Sequence, residues 1–390
     1  MKKQITILLL LIIHWQLSGQ GFVKKTDSPC NDKMADAVQG KWVKGQDLLS
    51  QLTMVFNKTQ AQEVLNRLDA VHKLALEAYS NPIGADASWR RNLGYQPPFA
   101  FFYYDIAIHN YFCYGGSKNE IQLNDETGTG LTVYANDLLP LWDNLMEGDE
   151  WKIDGRPIKM RKTMIGKWKG YDLYSAGGPG MELSASRYVI MQRKGELPYV
   201  PVTRKQYLDR IIPYVTKFID QGIKDYIAVK PIRTLEEQEK EKNKVLADYK
   251  TKYGSDPKKL KWAVDYYLAG YQTDQQEQDE QIKIAIKQKQ DQLKKFNDEL
   301  EKSTKEGLLE SPAIIPPGSF FNPLVFSTEA EGGSMLVIEN PKYMRKDLPK
   351  YVPQVFVLAW AWDPGPWALR FRKAFEENFP IEKLQAMIDK

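Results

Sequence analysis

The stretch FAFFYYDIAIHNYFC, Phe99–Cys113, decides the fold class. Side chains along an extended strand point alternately to its two faces. Ala100, Phe102, Tyr104, Ile106, Ile108 and Phe112 fall on one face, and Phe101, Tyr103, Asp105, Ala107, His109, Tyr111 and Cys113 on the other. The first face is apolar, as a strand covering a core requires. From about Phe99 to Val202 the chain reads as antiparallel strands. TGLTVYAN (129–136) is one. WKIDGRPIKM (151–160) is a hairpin, turning at Asp154-Gly155, where positive φ is needed. SRYVIMQRKGELPYVPV (186–202) reads as another, turning at Lys194-Gly195. Farther on, SMLVIENP (334–341) and PQVFVLAWAW (353–362) are strands, the second apolar on both faces and therefore central.

Helices flank this sheet. Val64, Leu68, Val71, Ala75 and Ala78 recur at helical spacing within a helix expected over Thr59 to Tyr79, and Thr59 with Gln62 has capping-box form. In ELPYVPVTRKQYL (196–208), Thr203 and Gln206 have the same form, so the Thr-Arg-Lys run is the joint between a strand and a helix. That helix carries Leu208, Ile211, Ile212, Val215, Phe218 and Ile219 on one side, with Pro213 predicting a kink or a late start. Later helices start near Pro366 and Pro380.

At Thr234 the composition changes to Glu, Lys, Gln and Asp. Ile282, Ile286, Leu293, Phe296 and Leu300 form a stripe that Lys289 interrupts, and Leu260, Val264, Tyr267 and Tyr271 form a second. The fold class is α+β: an antiparallel sheet with packed helices and an inserted charged helical hairpin or coiled coil. The expected organisation is a signal peptide at 1–20, an α+β domain at 21–233, the charged insertion at 234–308, and strands and helices at 309–390 that complete the α+β domain. A stripe of this kind suits its own chain or a second copy, so self-association through residues 260–300 is one expectation.

The first twenty residues predict export. Lys2 and Lys3 precede an apolar run, Ile5–Ile13, with Ser18 and Gly19 near the cut. That run is too short for the ~20 residues of a membrane-spanning helix, and no transmembrane segment is expected elsewhere. The protein is expected in the periplasm or secreted. Losing Lys2 and Lys3 lowers the formal charge of +4 by two, which gives no reason to expect nucleic acid as a partner. The two cysteines, Cys30 and Cys113, are expected to form a disulfide in an oxidising compartment, the alternative being two buried free thiols. Closing a loop of ~80 residues is worth about 4–5 kcal/mol in the chain-entropy treatment.

The strings ELPYVPVTRKQYL and ENPKYMRKDLPKYVPQ (339–354) resemble those of uncharacterised secreted proteins of Gram-negative bacteria. The resemblance implies export and carries no activity, so no catalytic residue transfers.

Motifs for chemistry are sparse. No His-Glu-x-x-His or paired Cys-x-x-Cys run exists, so no metal is expected, and His72 reads as an exposed residue on a helix flank. SAGGPG (175–180) lacks a following Gly-Lys-Ser/Thr, so no nucleotide cofactor is expected. There is no Gly-x-Ser-x-Gly elbow. The aromatic run at 87–104 offers Trp89, Arg90, Arg91 and Tyr95 as ligand-binding candidates. The leading expectation is a non-catalytic binding or envelope-associated module whose partner is an envelope glycan, peptide or protein. The alternative is a carboxylate-dependent hydrolase of envelope or extracellular polymers, with Asp105 and Glu126 as catalytic candidates.

Overall fold

A computed structural model describes residues 23–26, 30–50, 52–96, 99–114, 120–145, 148–176, 186–228, 233–316 and 326–390. The expected signal at 1–20 lies outside the described residues, as does most of the glycine loop at 175–180. The chain forms two compact units. One takes in the described residues up to Val202 and from Pro312 onward, and the other is Thr203–Ser311.

The first unit is built on one large sheet. Ala85–Gln96 and Phe99–Cys113 form a long antiparallel hairpin, and Trp42–Lys44 runs parallel to the outer strand. Beyond Phe99–Cys113 the order is Gly130–Ala135, Phe356–Ala361, Arg187–Met191, Tyr171–Ser175 and Thr163–Trp168, every pair antiparallel. Phe356–Ala361 therefore sits inside the sheet with a partner on each edge, and its apolar character on both faces has its reason. Phe356, Leu358 and Trp360 enter the core under helices Lys58–Ala78, Pro366–Asn378 and Ile381–Gln385. Val357 enters a second core with Tyr174 and Ile190, closed by Trp142, Tyr199 and Val337 of a smaller sheet. The unit is three layers: helices, large sheet, small sheet. Fully burying each large apolar side chain stabilises it by about 1.5–3 kcal/mol.

The alternation of Phe99–Cys113 holds. Ala100, Phe102, Tyr104, Ile106 and Ile108 all lie in the helix-side core. The turn at Asp154-Gly155 takes φ of 50° and 77°, the paired positive values of a type I′ hairpin. Three local expectations change. Helix Lys58–Ala78 is capped by Asn57 with Gln60, two residues before the box expected at Thr59. The strand Ala85–Gln96 was not expected at all. The hairpin expected at 186–202 does not form. Arg187–Met191 pairs in the large sheet, whereas Tyr199–Pro201 pairs with Ser334–Glu339 in the small one. The turn at Lys194-Gly195 hands the chain from one sheet to the other.

Cys30 and Cys113 are bonded, with Cα atoms 5.6 Å apart. The bond lies against a small cluster of Ala35, Val38, Tyr111 and Ile121 and ties the N-terminal segment to the end of the long hairpin.

The second unit begins at Thr203, well before the change of composition at 234, because the helix Arg204–Ala228 packs along Asp274–Lys305. Thr203 Oγ1 accepts from the Gln206 N–H (3.2 Å), and the Thr203 N–H donates to Gln206 Oε1 (2.9 Å), which is the expected joint. The helix then runs unbroken through Pro213, and Phe218, expected on its packed side, is exposed. Arg204 faces Glu299 and Asp220 faces Lys289, so the two long helices are antiparallel. The Lys289 interruption is thus an ion pair to the neighbouring helix of the same chain. Between these helices, Leu235–Tyr253 and Pro257–Gly270 form a helical hairpin.

Two outcomes follow from this packing. Replacing both cysteines by serine is expected to lower unfolding free energy by about 4 kcal/mol in urea titration. Lys289→Leu is expected to leave the melting temperature unchanged or raise it, because a partly exposed ion pair is worth about 0–1 kcal/mol and the leucine continues an apolar seam.

Candidate functional site

The helical hairpin of the second unit encloses an open cavity of about 450 Å³. Its start is fixed by a capping box in which Thr234 accepts from the Glu237 N–H and Glu237 reaches back to Thr234. Asp256 caps the second helix through the N–H groups of Lys258 and Lys259, with Pro257 at its first position. The expected stripe of Leu260, Val264, Tyr267 and Tyr271 turns inward, each half-buried. Its tyrosines, together with Tyr249 and Tyr266, line the cavity. Tyr249 and Tyr267 meet edge to face at 6.0 Å, and Tyr267 and Tyr271 lie 5.8 Å apart.

The polar end of the cavity is a hydrogen-bonded group. Arg233 donates to Glu241 and to Asp274, both at 2.6 Å. Buried Gln238 accepts from the Asp274 N–H (2.8 Å), donates to the Arg233 carbonyl (2.9 Å), and offers its own carbonyl to the Tyr271 hydroxyl (3.3 Å). Burial, then the neighbouring Tyr271 and Glu241, push the Tyr267 phenol up, so at neutral pH it stays protonated. The wall offers ring faces and hydroxyls. Its carboxylate, Glu241, is already paired with Arg233.

The ligand-binding candidates of the long hairpin separate. Adjacent strand residues face opposite ways. Trp89 turns to the helices, stacked on His72 at 3.9 Å, with Trp42 edge-on to the imidazole at 5.6 Å. His72, expected in solvent, is half-buried there and its Nδ1 lies 2.6 Å from the Tyr104 hydroxyl. Burial pushes its pKa down, so it is neutral. Arg91 shares this face and binds Asp47 (2.6 and 3.0 Å) and Asp69 (2.9 Å). Arg90 turns to the other face, where its Nε meets Asp105 at 3.4 Å. The backbone of Tyr95 pairs with Ala100, and its side chain lies outside the described residues.

The catalytic candidates are not brought together. Asp105 sits opposite Thr132 in mid-sheet, whereas Glu126 is exposed in the turn before Thr129, which lies opposite Ile108. Three strand residues alone separate those levels by about 10 Å. The carboxylate nearer in environment is Asp137, which accepts from the Tyr103 hydroxyl at 2.9 Å. Burial raises both Asp105 and Asp137. Cys113 is in the disulfide and supplies no thiol beside His109. Among the described residues, no group of three or more His, Cys, Asp and Glu could hold a metal ion.

Asp47 measures the Arg91 cluster. Burial alone would raise its carboxyl, but hydrogen bonds and charge from Arg91 outweigh burial and hold it below 3.8. The stability it contributes is present above 3.8 and lost as pH falls through the lowered value. Arg91→Ala is expected to cost about 1–3 kcal/mol at neutral pH, because it takes the guanidinium from Asp69 and leaves part-buried Asp47 with Lys44 as its remaining cation. In urea titrations repeated across pH, the gap to wild type should narrow below 3.8. Comparison with family models, with curated proteins and with solved structures found no match, so no residue here takes a role from a relative.

Proposed function

We propose that this chain is an exported, non-catalytic binding module of the cell envelope, and that it holds a glycan in the tyrosine-lined cavity of its helical hairpin. The observation that carries the reading is the cavity wall: Tyr249, Tyr266, Tyr267 and Tyr271 around one open space, with Arg233 and Gln238 fixed at its end. A sugar ring presents C–H faces and hydroxyl edges. Tyrosine matches both, with an apolar ring and a hydroxyl that donates and accepts. Such a pocket orients a ligand with few polar groups and needs no titrating acid or base. Export is supported by the sequence of residues 1–20 and by the intramolecular bond of Cys30 and Cys113, which persists in oxidising compartments. No helix among the described residues is long and apolar enough to cross a membrane.

The hydrolase alternative has weaker support. It requires two carboxylates flanking a bond, and Asp105 is engaged by Arg90 while Glu126 lies in a separate turn.

Calorimetric titration with soluble envelope-glycan fragments tests the proposal. Tyr267→Ala is expected to weaken binding at least tenfold, about 1.4 kcal/mol. Tyr267→Phe should keep most of the affinity if ring stacking dominates. Unchanged binding by Tyr267→Ala, or turnover of the glycan by wild-type protein, would overturn the reading.

A further inference from the structure

The even overall charge hides a local segregation. Near the start of the helical hairpin, residues 233–241 carry Glu236, Glu237, Glu239 and Glu241 against Arg233 and Lys240. Around its turn the balance reverses. Lys244, Lys250, Lys252, Lys258, Lys259 and Lys261 are all exposed, against Asp248 and Asp256. Lys261 pairs with Asp265 (2.6 Å) and Lys259 approaches Asp256 (3.7 Å). Among the described residues Lys244, Lys250, Lys252 and Lys258 have no carboxylate partner.

The second helix of the hairpin leaves two large rings in solvent. Trp262 is 67% exposed and Tyr266 72% exposed, the highest values among the aromatic residues of the hairpin. They are stacked on each other at 5.5 Å, one helical turn apart. On the helix Pro257–Gly270 the spacing puts Lys258, Trp262 and Tyr266 along one strip, with Trp262 in solvent and Tyr266 at the rim of the cavity, while Ala263 is buried and Val264 and Tyr267 are half-buried. Burying such rings is favourable where a surface takes their faces and leaves indole N–H and phenol O–H hydrated or hydrogen-bonded.

We infer that the turn end of this hairpin docks on the surface of an anionic phospholipid bilayer. Trp262 and Tyr266 seat at headgroup depth, and Lys258 and Lys259, on the same side of that helix, meet the lipid phosphates, while Lys244, Lys250 and Lys252 add positive charge nearby. The charge excess selects the anionic surface, since each lysine near such a surface adds attraction that falls off within a Debye length. The rings select a bilayer over an acidic protein, because amphipathic aromatics flanked by lysine suit the headgroup boundary. The helix lies on the surface and does not cross it. This surface shares Tyr266 with the rim of the glycan cavity, but Trp262, Lys258 and Lys259 lie outside the cavity wall, so variants at those three test docking without touching the cavity.

Co-sedimentation of the purified protein with vesicles tests the inference. With phosphatidylcholine vesicles containing about 30% phosphatidylglycerol, partitioning should be at least tenfold higher than with phosphatidylcholine alone, and should fall as salt rises from about 0.05 to 0.5 M. Trp262→Ala, and separately the pair Lys258→Glu and Lys259→Glu, should each lower partitioning about tenfold. Glutamates in a first helical turn suit the helix dipole, so helicity by circular dichroism should be unchanged. Tyr267→Ala, which disturbs only the cavity, should bind vesicles as wild type does. Equal binding to both vesicles, no binding, or variants that bind like wild type would overturn it. So would a dimer in sedimentation velocity that Trp262→Ala dissociates, since a second copy would then cover this face.

Discussion

The structure depends on one strand being buried on both faces. Phe356–Ala361 has Gly130–Ala135 on one edge and Arg187–Met191 on the other, with a core on each side. Without it the large sheet is two pieces, and the C-terminal helices lose Phe356, Leu358 and Trp360 from the core they cover. The chain must therefore return after its long helical excursion. It does so at one place: the Ala313 N–H donates to the Val202 carbonyl (2.8 Å), and the Val202 N–H donates to the Leu336 carbonyl (2.9 Å). With departure and return hydrogen-bonded to each other, the length of what lies between costs little, because loop closure depends only weakly on length.

Much of this was legible. The alternation in Phe99–Cys113, the double-faced run at 353–362 and the stripe of Leu260, Val264, Tyr267 and Tyr271 are periodic signals, and each marks the face it predicts; of the other stripe, Ile282, Leu293, Phe296 and Leu300 are covered and Ile286 is exposed. The misses have physical causes. Ala85–Gln96 puts alanines toward the core and Asp86 and Ser88 away from it, so its alternation carries little apolar contrast. The turn at Lys194-Gly195 is a local feature, and a local turn does not say which strands will pair across it. Lys289 breaks a stripe unless Asp220, on another helix, is known to stand opposite.

The candidate sites were less legible than the fold. Arg90 and Arg91 are neighbours in sequence and strangers in space, one held by Asp105 and the other by Asp47 and Asp69. The cavity was visible only as packing. Tyr249 with Tyr253, and Tyr267 with Tyr271, have the spacing of any helical contact, and nothing in one helix says that the partner helix leaves a gap opposite. A functional reading from aromatic density alone pointed to the sheet, where the rings of Trp42 and Trp89 close around His72.

The position of Phe356–Ala361 in chain order sets when folding can finish. Ribosomes deliver the polypeptide from its N-terminus, and this strand emerges after every other strand of the large sheet. Until then Gly130–Ala135 and Arg187–Met191 each present an unsatisfied edge, so the sheet cannot close during translation. Its contacts are distant along the chain, which slows closure further once synthesis ends. A nascent protein of this topology leaves two strand edges open until that strand is made, and open edges invite pairing with the wrong chain.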